Sequence, residues 1–239
     1  MPHILSADAL TALVTLTAME IVLGIDNIVF IAIIVGRLPT SSQAKTRNLG
    51  IILALGIRVL LLFSITWIMG LTEPFFTLFG KNFSGRDLIL LGGGLFLIAK
   101  STFEIHHKVE GSPEQEIKQL SGVASKFILF QILLLDIVFS LDSVITAVGM
   151  ADQIVIMVVA MTIAMIVMLV SAKSIGTFVE KNPAVKILAL SFLLLIGVML
   201  VAESMGQHIG KGYIYFAMAF SLGVELLNMR YRKRNFANK

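Results

Sequence analysis

Cysteine is absent from the chain, proline occurs five times, and only 14% of the residues are charged. Without thiols there is no disulfide, no thiolate metal centre and no cysteine nucleophile. A soluble surface needs far more charge, since average soluble domains carry about a quarter charged residues. Scarce charge beside 57% hydrophobic residues and a mean hydropathy of +0.92 therefore excludes an ordinary soluble domain. No Gly-rich loop closes on Lys-Ser or Lys-Thr, which removes a nucleotide-driven pump of the P-loop kind. The charge that exists is unequal in sign, net +4 with a pI of about 9.4. Such a balance suits nucleic acid or membrane orientation, depending on where the cations sit.

What the chain does have is apolar sequence in long runs. A helix crossing the hydrocarbon core needs about 20 mostly apolar residues. Seven such windows are predicted, at about 9–36, 48–71, 87–105, 127–149, 151–172, 184–204 and 212–230. They leave short loops, one polar segment from His106 to Gln119 and a basic tail from Arg230 to Lys239. The predicted fold is all-α, a polytopic membrane protein with seven transmembrane helices forming a single domain over 1–239. On one side of this parse lie Arg37, Lys45, Arg47, Lys100, Lys108, Lys118, Lys126, Lys173, Lys181, Lys186 and the five cations of the tail; on the other lie Lys81, Arg86 and Lys211. Loops rich in Lys and Arg stay in the cytoplasm, so the N-terminus is expected outside, the C-terminus inside, and the location is the cell (inner) membrane. Topology accounts for the basic pI, and no nucleic-acid partner is expected. The first span reads as an uncleaved helix and not a signal peptide, because no Lys or Arg precedes it and Glu20 and Asp26 interrupt it.

Self-comparison exposes a repeat. At an offset of 116, Glu20-Ile-Val-Leu-Gly-Ile-Asp26-Asn27-Ile28 lies over Asp136-Ile-Val-Phe-Ser-Leu-Asp142-Ser143-Val144. A weaker echo sets Gly94 to Ser101 over Gly197 to Ser204. Three spans separate the copies, so the second runs through the membrane in the opposite sense. The reading is a 3 + 3 inverted repeat, with repeat one at about 9–105, a cytoplasmic loop at about 106–126, repeat two at about 127–204, and an extra helix and tail at about 212–239. Transporters built this way hold their sites near the midplane, at the repeat interface.

Glu20, Asp26, Asp136, Asp142 and Glu203 fall inside predicted spans, Glu225 lies near a cytoplasmic end, and Arg58 is the cation set among them. A lone charge at the bilayer centre costs at least ~2.5 kcal/mol, so such groups face inward and pair, protonate or bind ions. Five central acids against one arginine leave a surplus of negative charge for protons or cations to neutralise. Carboxylates joined by the Asn27 amide and the Ser143 hydroxyl make a hard oxygen set that suits Mn²⁺, Ca²⁺ or Mg²⁺. Acids six residues apart lie ~9 Å apart along a straight helix; a break at Gly24 and Ser140 is expected to bring them together. Glu203 is assigned to the ion site, with pairing to Arg58 or Lys100 as its structural alternative, and Arg58 is expected to tether a carboxylate. His208 and Asp152 are read as an interfacial histidine and a solvated turn, His106 and His107 as solvated loop residues, and Gly92-Gly93-Gly94 as a close-approach face.

The two acidic motifs, with Ala202-Glu-Ser-Met-Gly-Gln-His-Ile-Gly-Lys-Gly-Tyr-Ile-Tyr-Phe216, resemble the TerC family of integral membrane proteins along the whole chain. The resemblance implies a place in the LysE-like transporter superfamily, a link with tellurium resistance, and export of divalent metal, chiefly manganese. It carries over site positions as Glu20, Asp26, Asn27, Asp136, Asp142, Ser143 and Glu203.

The expected function is export of divalent cations, Mn²⁺ first, by alternating access and in exchange for protons. No enzyme activity and no prosthetic group are expected; the cation is cargo, and the lipid bilayer is the partner. Homo-oligomers and a membrane-protein partner stay open. The alternatives are a membrane scaffold or assembly factor that delivers metal to other proteins and, remotely, an intramembrane aspartyl protease with Asp26 and Asp142 sharing a proton.

Overall fold

The computed structural model describes residues 7–78, 80–110, 121–150, 154–207 and 209–237. Helix α1 (Ala7–Val35) and α2 (Thr40–Phe63) lead to a short α3 (Ile65–Gly70) and a hairpin of β1 (Pro74–Leu78) and β2 (Lys81–Ser84). Five long helices follow: α4 (Gly85–Glu110), α5 (Ser121–Met150), α6 (Ile154–Lys181), α7 (Pro183–Ser204) and α8 (Lys211–Ala237). All of these helices except α3 are long and apolar enough to cross a membrane, giving seven candidate spans in the predicted order.

The helices outrun the apolar windows. α2 starts at Thr40, α4 continues to Glu110, and α6 reaches Lys181, so that Asn182 alone joins it to α7. His106 and His107 thus lie on a helix and not in a loop, and the longer connection expected after 172 does not exist. Hydropathy marks the stretch in contact with lipid, whereas a helix satisfies its own backbone in water as well and continues through Lys, Glu and Arg, which are good helix formers. Pro183 then opens α7 at a position where a missing N–H costs nothing.

Among the described residues, the hairpin is the one departure from all-α. Its strands pair antiparallel, Gly80 adopts φ 76°, and the Phe76 and Phe83 rings stack at 5.3 Å. Left-handed φ is cheap only for glycine, and a cross-strand aromatic pair holds the short strands in register. α4 then begins on a reciprocal cap: the Ser84 backbone N–H and hydroxyl lie 2.9 and 2.8 Å from Asp87 Oδ2, and the Asp87 N–H points back to Ser84 Oγ at 3.2 Å.

α1 and α5 are continuous through Gly24 and Ser140, so the expected helix breaks are absent. Both residues have other work. A Cβ on Gly24 would fall 2.2 Å from Met168 Sδ of α6, and Ser140 Oγ donates one turn back to Asp136 Oδ2 at 3.2 Å.

The bundle is built from three long helix pairs: α1 along α6, α2 along α5, and α4 along α7. The last pair touches backbone to backbone. A Cβ on Gly94 would meet the Gly197 carbonyl at 2.7 Å, and one on Gly197 would meet the Gly94 carbonyl at 2.9 Å. Gly93 leaves the same kind of space for Val138 of α5, while a Cβ on Gly92 would meet nothing within 4 Å. The close-approach face therefore consists of Gly93 and Gly94, without Gly92. One apolar cluster from α1, α2, α4, α5, α6 and α7 fills the centre around Leu90, Leu97, Leu135 and Leu193. α8 lies at the edge against α7, with no buried residue in its span. A cavity of about 490 Å³, lined by residues including Phe178, Phe192, Tyr215 and Leu222, lies between parts of α6, α7 and α8.

Candidate ion site

Long apolar helices surround the middle of the bundle, yet three charged side chains meet there. Arg58 on α2, Glu20 on α1 and Asp136 on α5 are 2%, 4% and 5% exposed. Arg58 Nη1 donates to Glu20 Oε2 at 2.7 Å. Its Nη2 and Nε donate to Asp136 Oδ1 at 2.7 and 3.1 Å. Asn27 Nδ2 reaches the same Oδ1 at 3.4 Å, and Ser140 donates to Oδ2. Charge-assisted bonds of this kind are short and strong, and their value here is that none of the three ions is left bare in a medium where a bare ion is costly.

The two repeat-related acids, 116 residues apart in the chain, thus share one guanidinium. The sequence places Arg58 among the acids but gives it a single carboxylate; the structure gives it two. Asn27, from the first motif, contacts Asp136 of the second. Ser140, considered only as a break, is a positioning group for Asp136, and its spacing of four residues on one helix was the available signal. Asp26, Asp142 and Ser143 lie on α1 and α5, with side chains outside those the structure describes. His208 and Asp152 also fall outside the described residues.

Glu203 is elsewhere. It sits at the end of α7 and pairs with Arg86 at the start of α4, Oε1 to Nη2 at 2.6 Å. Neither Arg58 nor Lys100, the two partners named from sequence, holds it. Lys100 lies 3.1 Å from Glu104 instead, and Glu104 also accepts from Arg37 just beyond α1. Glu104 is a further buried acid, beyond those singled out in the sequence, and Lys100 one turn earlier on the same helix is the signal that marks it. At the exposed end of α4, His106 pairs with Glu110 at 3.2 Å and His107 packs edge-on against Phe103.

Among the described residues, no three carboxylates or imidazoles gather as a metal centre. The described site is a pair of acids closed over an arginine, with an amide and a hydroxyl beside them. In chemical terms it can hold a cation between two carboxylates from different helices, and the cation seated there is the chain's own.

Residues 5–239 match the family described as "Integral membrane protein TerC family". A UPF0053 protein of Haemophilus influenzae is 55% identical over 226 residues, covering 95% of each chain. The UPF0053 inner membrane protein YgdQ of Escherichia coli is 53% identical over 228 residues, again covering 95% of each. A longer relative, the UPF0053 inner membrane protein YoaE of the same organism, is 47% identical over 237 residues, which is 99% of this chain and 45% of that one. No solved structure matches the chain.

Proposed function

Because the chain belongs to the TerC family of integral membrane proteins, we propose that it exports divalent cations, Mn²⁺ first among them, by alternating access, with return of protons. The observation that carries this reading is the meeting of Glu20 and Asp136, from two copies of one motif, at a single buried cation in mid-bundle. Two carboxylates on one guanidinium leave a formal surplus of negative charge there, and the sequence sets two further acids, Asp26 and Asp142, on the same helices. A dication leaving such a site is replaced at constant charge by two protons, which is the physical reason to couple export to proton entry. On this reading the chain is a carrier and not an enzyme, and the metal is cargo.

The inverted repeat is part of the proposal, and the packing supports it. A two-fold axis relating α1, α2 and α4 to α5, α6 and α7 exchanges the α1–α6 pair with the α2–α5 pair and maps α4–α7 onto itself, and these are the three long contacts of the bundle. It also maps Gly94 onto Gly197 and Ile98 onto Val201. A Cβ on Gly94 would touch Val201 and one on Gly197 would touch Ile98. Inner-membrane location follows the E. coli relatives' names, with the N-terminus outside and the C-terminus in the cytoplasm from the bias of Lys and Arg.

Purified chain in proteoliposomes loaded with a Mn²⁺-quenched dye tests the reading. Wild type is expected to quench the dye, and Asp26→Asn and Asp142→Asn to slow it at least ~10-fold, as loss of a charged partner of a buried ion does. Wild-type flux in both variants would remove those acids from the site; no flux from wild type would remove the function.

A further inference from the structure

We propose that Arg58 is a resident counter-cation, which stays seated on Asp136 and leaves Glu20 when a divalent ion arrives, so that the two repeat-related acids have different roles. The inference rests on the transport reading and refines its site. Two nitrogens of Arg58 go to Asp136, at 2.7 and 3.1 Å, and one goes to Glu20 at 2.7 Å. The packing divides these bonds in the same way. α2 and α5 lie along each other, so Arg58–Asp136 stays within a packed pair. α1 belongs with α6, so Arg58–Glu20 crosses from one pair to the other. Asp136 is held further by Ser140 of its own helix, whereas the contact from Asn27 comes from α1 and crosses between the pairs. If the pairs shift, the contacts that part are those made from α1, the single Arg58–Glu20 bond and the Asn27–Asp136 contact, and the arginine remains neutralised by Asp136.

Burial makes this division necessary. With all three groups no more than 5% exposed, neither a guanidinium nor a carboxylate can be left without a partner at acceptable cost. An ion arriving at Glu20 must find Arg58 already paired, which Asp136 provides. When the ion leaves, Arg58 returns to Glu20 and the empty carrier regains the ion pair between its helices. Cation and guanidinium therefore compete for one carboxylate, Glu20. Asp136, which the sequence treats as its equivalent, is the seat of the arginine.

The test compares Mn²⁺ binding to the full chain in detergent with Mn²⁺ flux in proteoliposomes. Glu20→Gln should weaken binding at least ~10-fold by removing the ligand, and Asp136→Asn should do the same by letting Arg58 settle on Glu20, couplings of ordinary size. Adding Arg58→Gln should restore most of the binding to Asp136→Asn and none to Glu20→Gln. The two double variants leave the same residual charge, one acid each, so their comparison stands even where a single variant does not fold. Equal Mn²⁺ binding by the two doubles, or no recovery in Arg58→Gln/Asp136→Asn, would overturn the counter-cation role while wild-type flux keeps the transport reading. A wild-type chain that neither binds nor moves Mn²⁺ would overturn both.

Discussion

Arg58 is one positive charge between two carboxylates, and at the scale of single residues its environment sets the energetics. Replacing it with methionine keeps the volume and leaves Glu20 and Asp136 buried without their cation, a change that costs about 3–5 kcal/mol for a buried pair. The Arg86–Glu203 pair is less deeply buried, so Glu203→Gln should cost less than Arg58→Met. Thermal unfolding of the two variants in detergent checks the order, and a larger loss at 203 than at 58 would contradict it. The acids themselves were legible in the sequence, because a charge inside a twenty-residue apolar run has no cheap explanation and the same pattern occurs twice. Their partners were not. Arg58 to both acids, Arg86 to Glu203 and Arg37 to Glu104 join residues between 38 and 117 positions apart, and nothing in local spacing selects one cation over another.

At the scale of elements, the helices follow from composition and their contacts from glycine. Lipid offers no hydrophobic drive for one apolar helix to prefer another, so close backbone approach and van der Waals contact decide the pairing. Gly94 and Gly197 sit at such a contact, each with space already taken by the other's backbone. Gly94→Val and Gly197→Val should each destabilise by about 1–3 kcal/mol, the usual cost of overpacking. Gly92→Ala meets open space and should be neutral or stabilising by up to ~1 kcal/mol, since alanine is the better helix former. Unfolding midpoints of the three variants test this, and an equal loss at 92 and 94 would refute the contact. The three consecutive glycines were visible as a packing motif; which two of them pack depends on how α4 is rotated against α5 and α7. Gly24 shows the same limit. Its helix-breaking tendency suggested an unwound turn, but the side chain it lacks makes space for Met168, and the helix runs on.

For the whole molecule, the unequal distribution of cations predicts orientation, and the absence of cysteine makes that easy to measure. Single cysteines at Thr72, in the exposed turn between α3 and the hairpin, and at Glu110, the exposed last residue of α4, should react differently with a membrane-impermeant maleimide. Thr72→Cys should label in intact cells and Glu110→Cys only after the membrane is opened; the reverse pattern would invert the proposed topology. Sequence alone determined the number of spans, their order, the two acidic motifs and the family, because each depends on which residues occur and at what intervals. A bilayer turns composition into helices almost directly, since lipid accepts only backbone that satisfies its own hydrogen bonds. Which helix lies along which, that α1 and α5 stay unbroken, that a hairpin fills the connection before α4, and that one arginine joins both acids were decided by the tertiary structure. These outcomes depend on the fit of side chains from distant parts of the chain into one another's space, which intervals along the sequence do not encode.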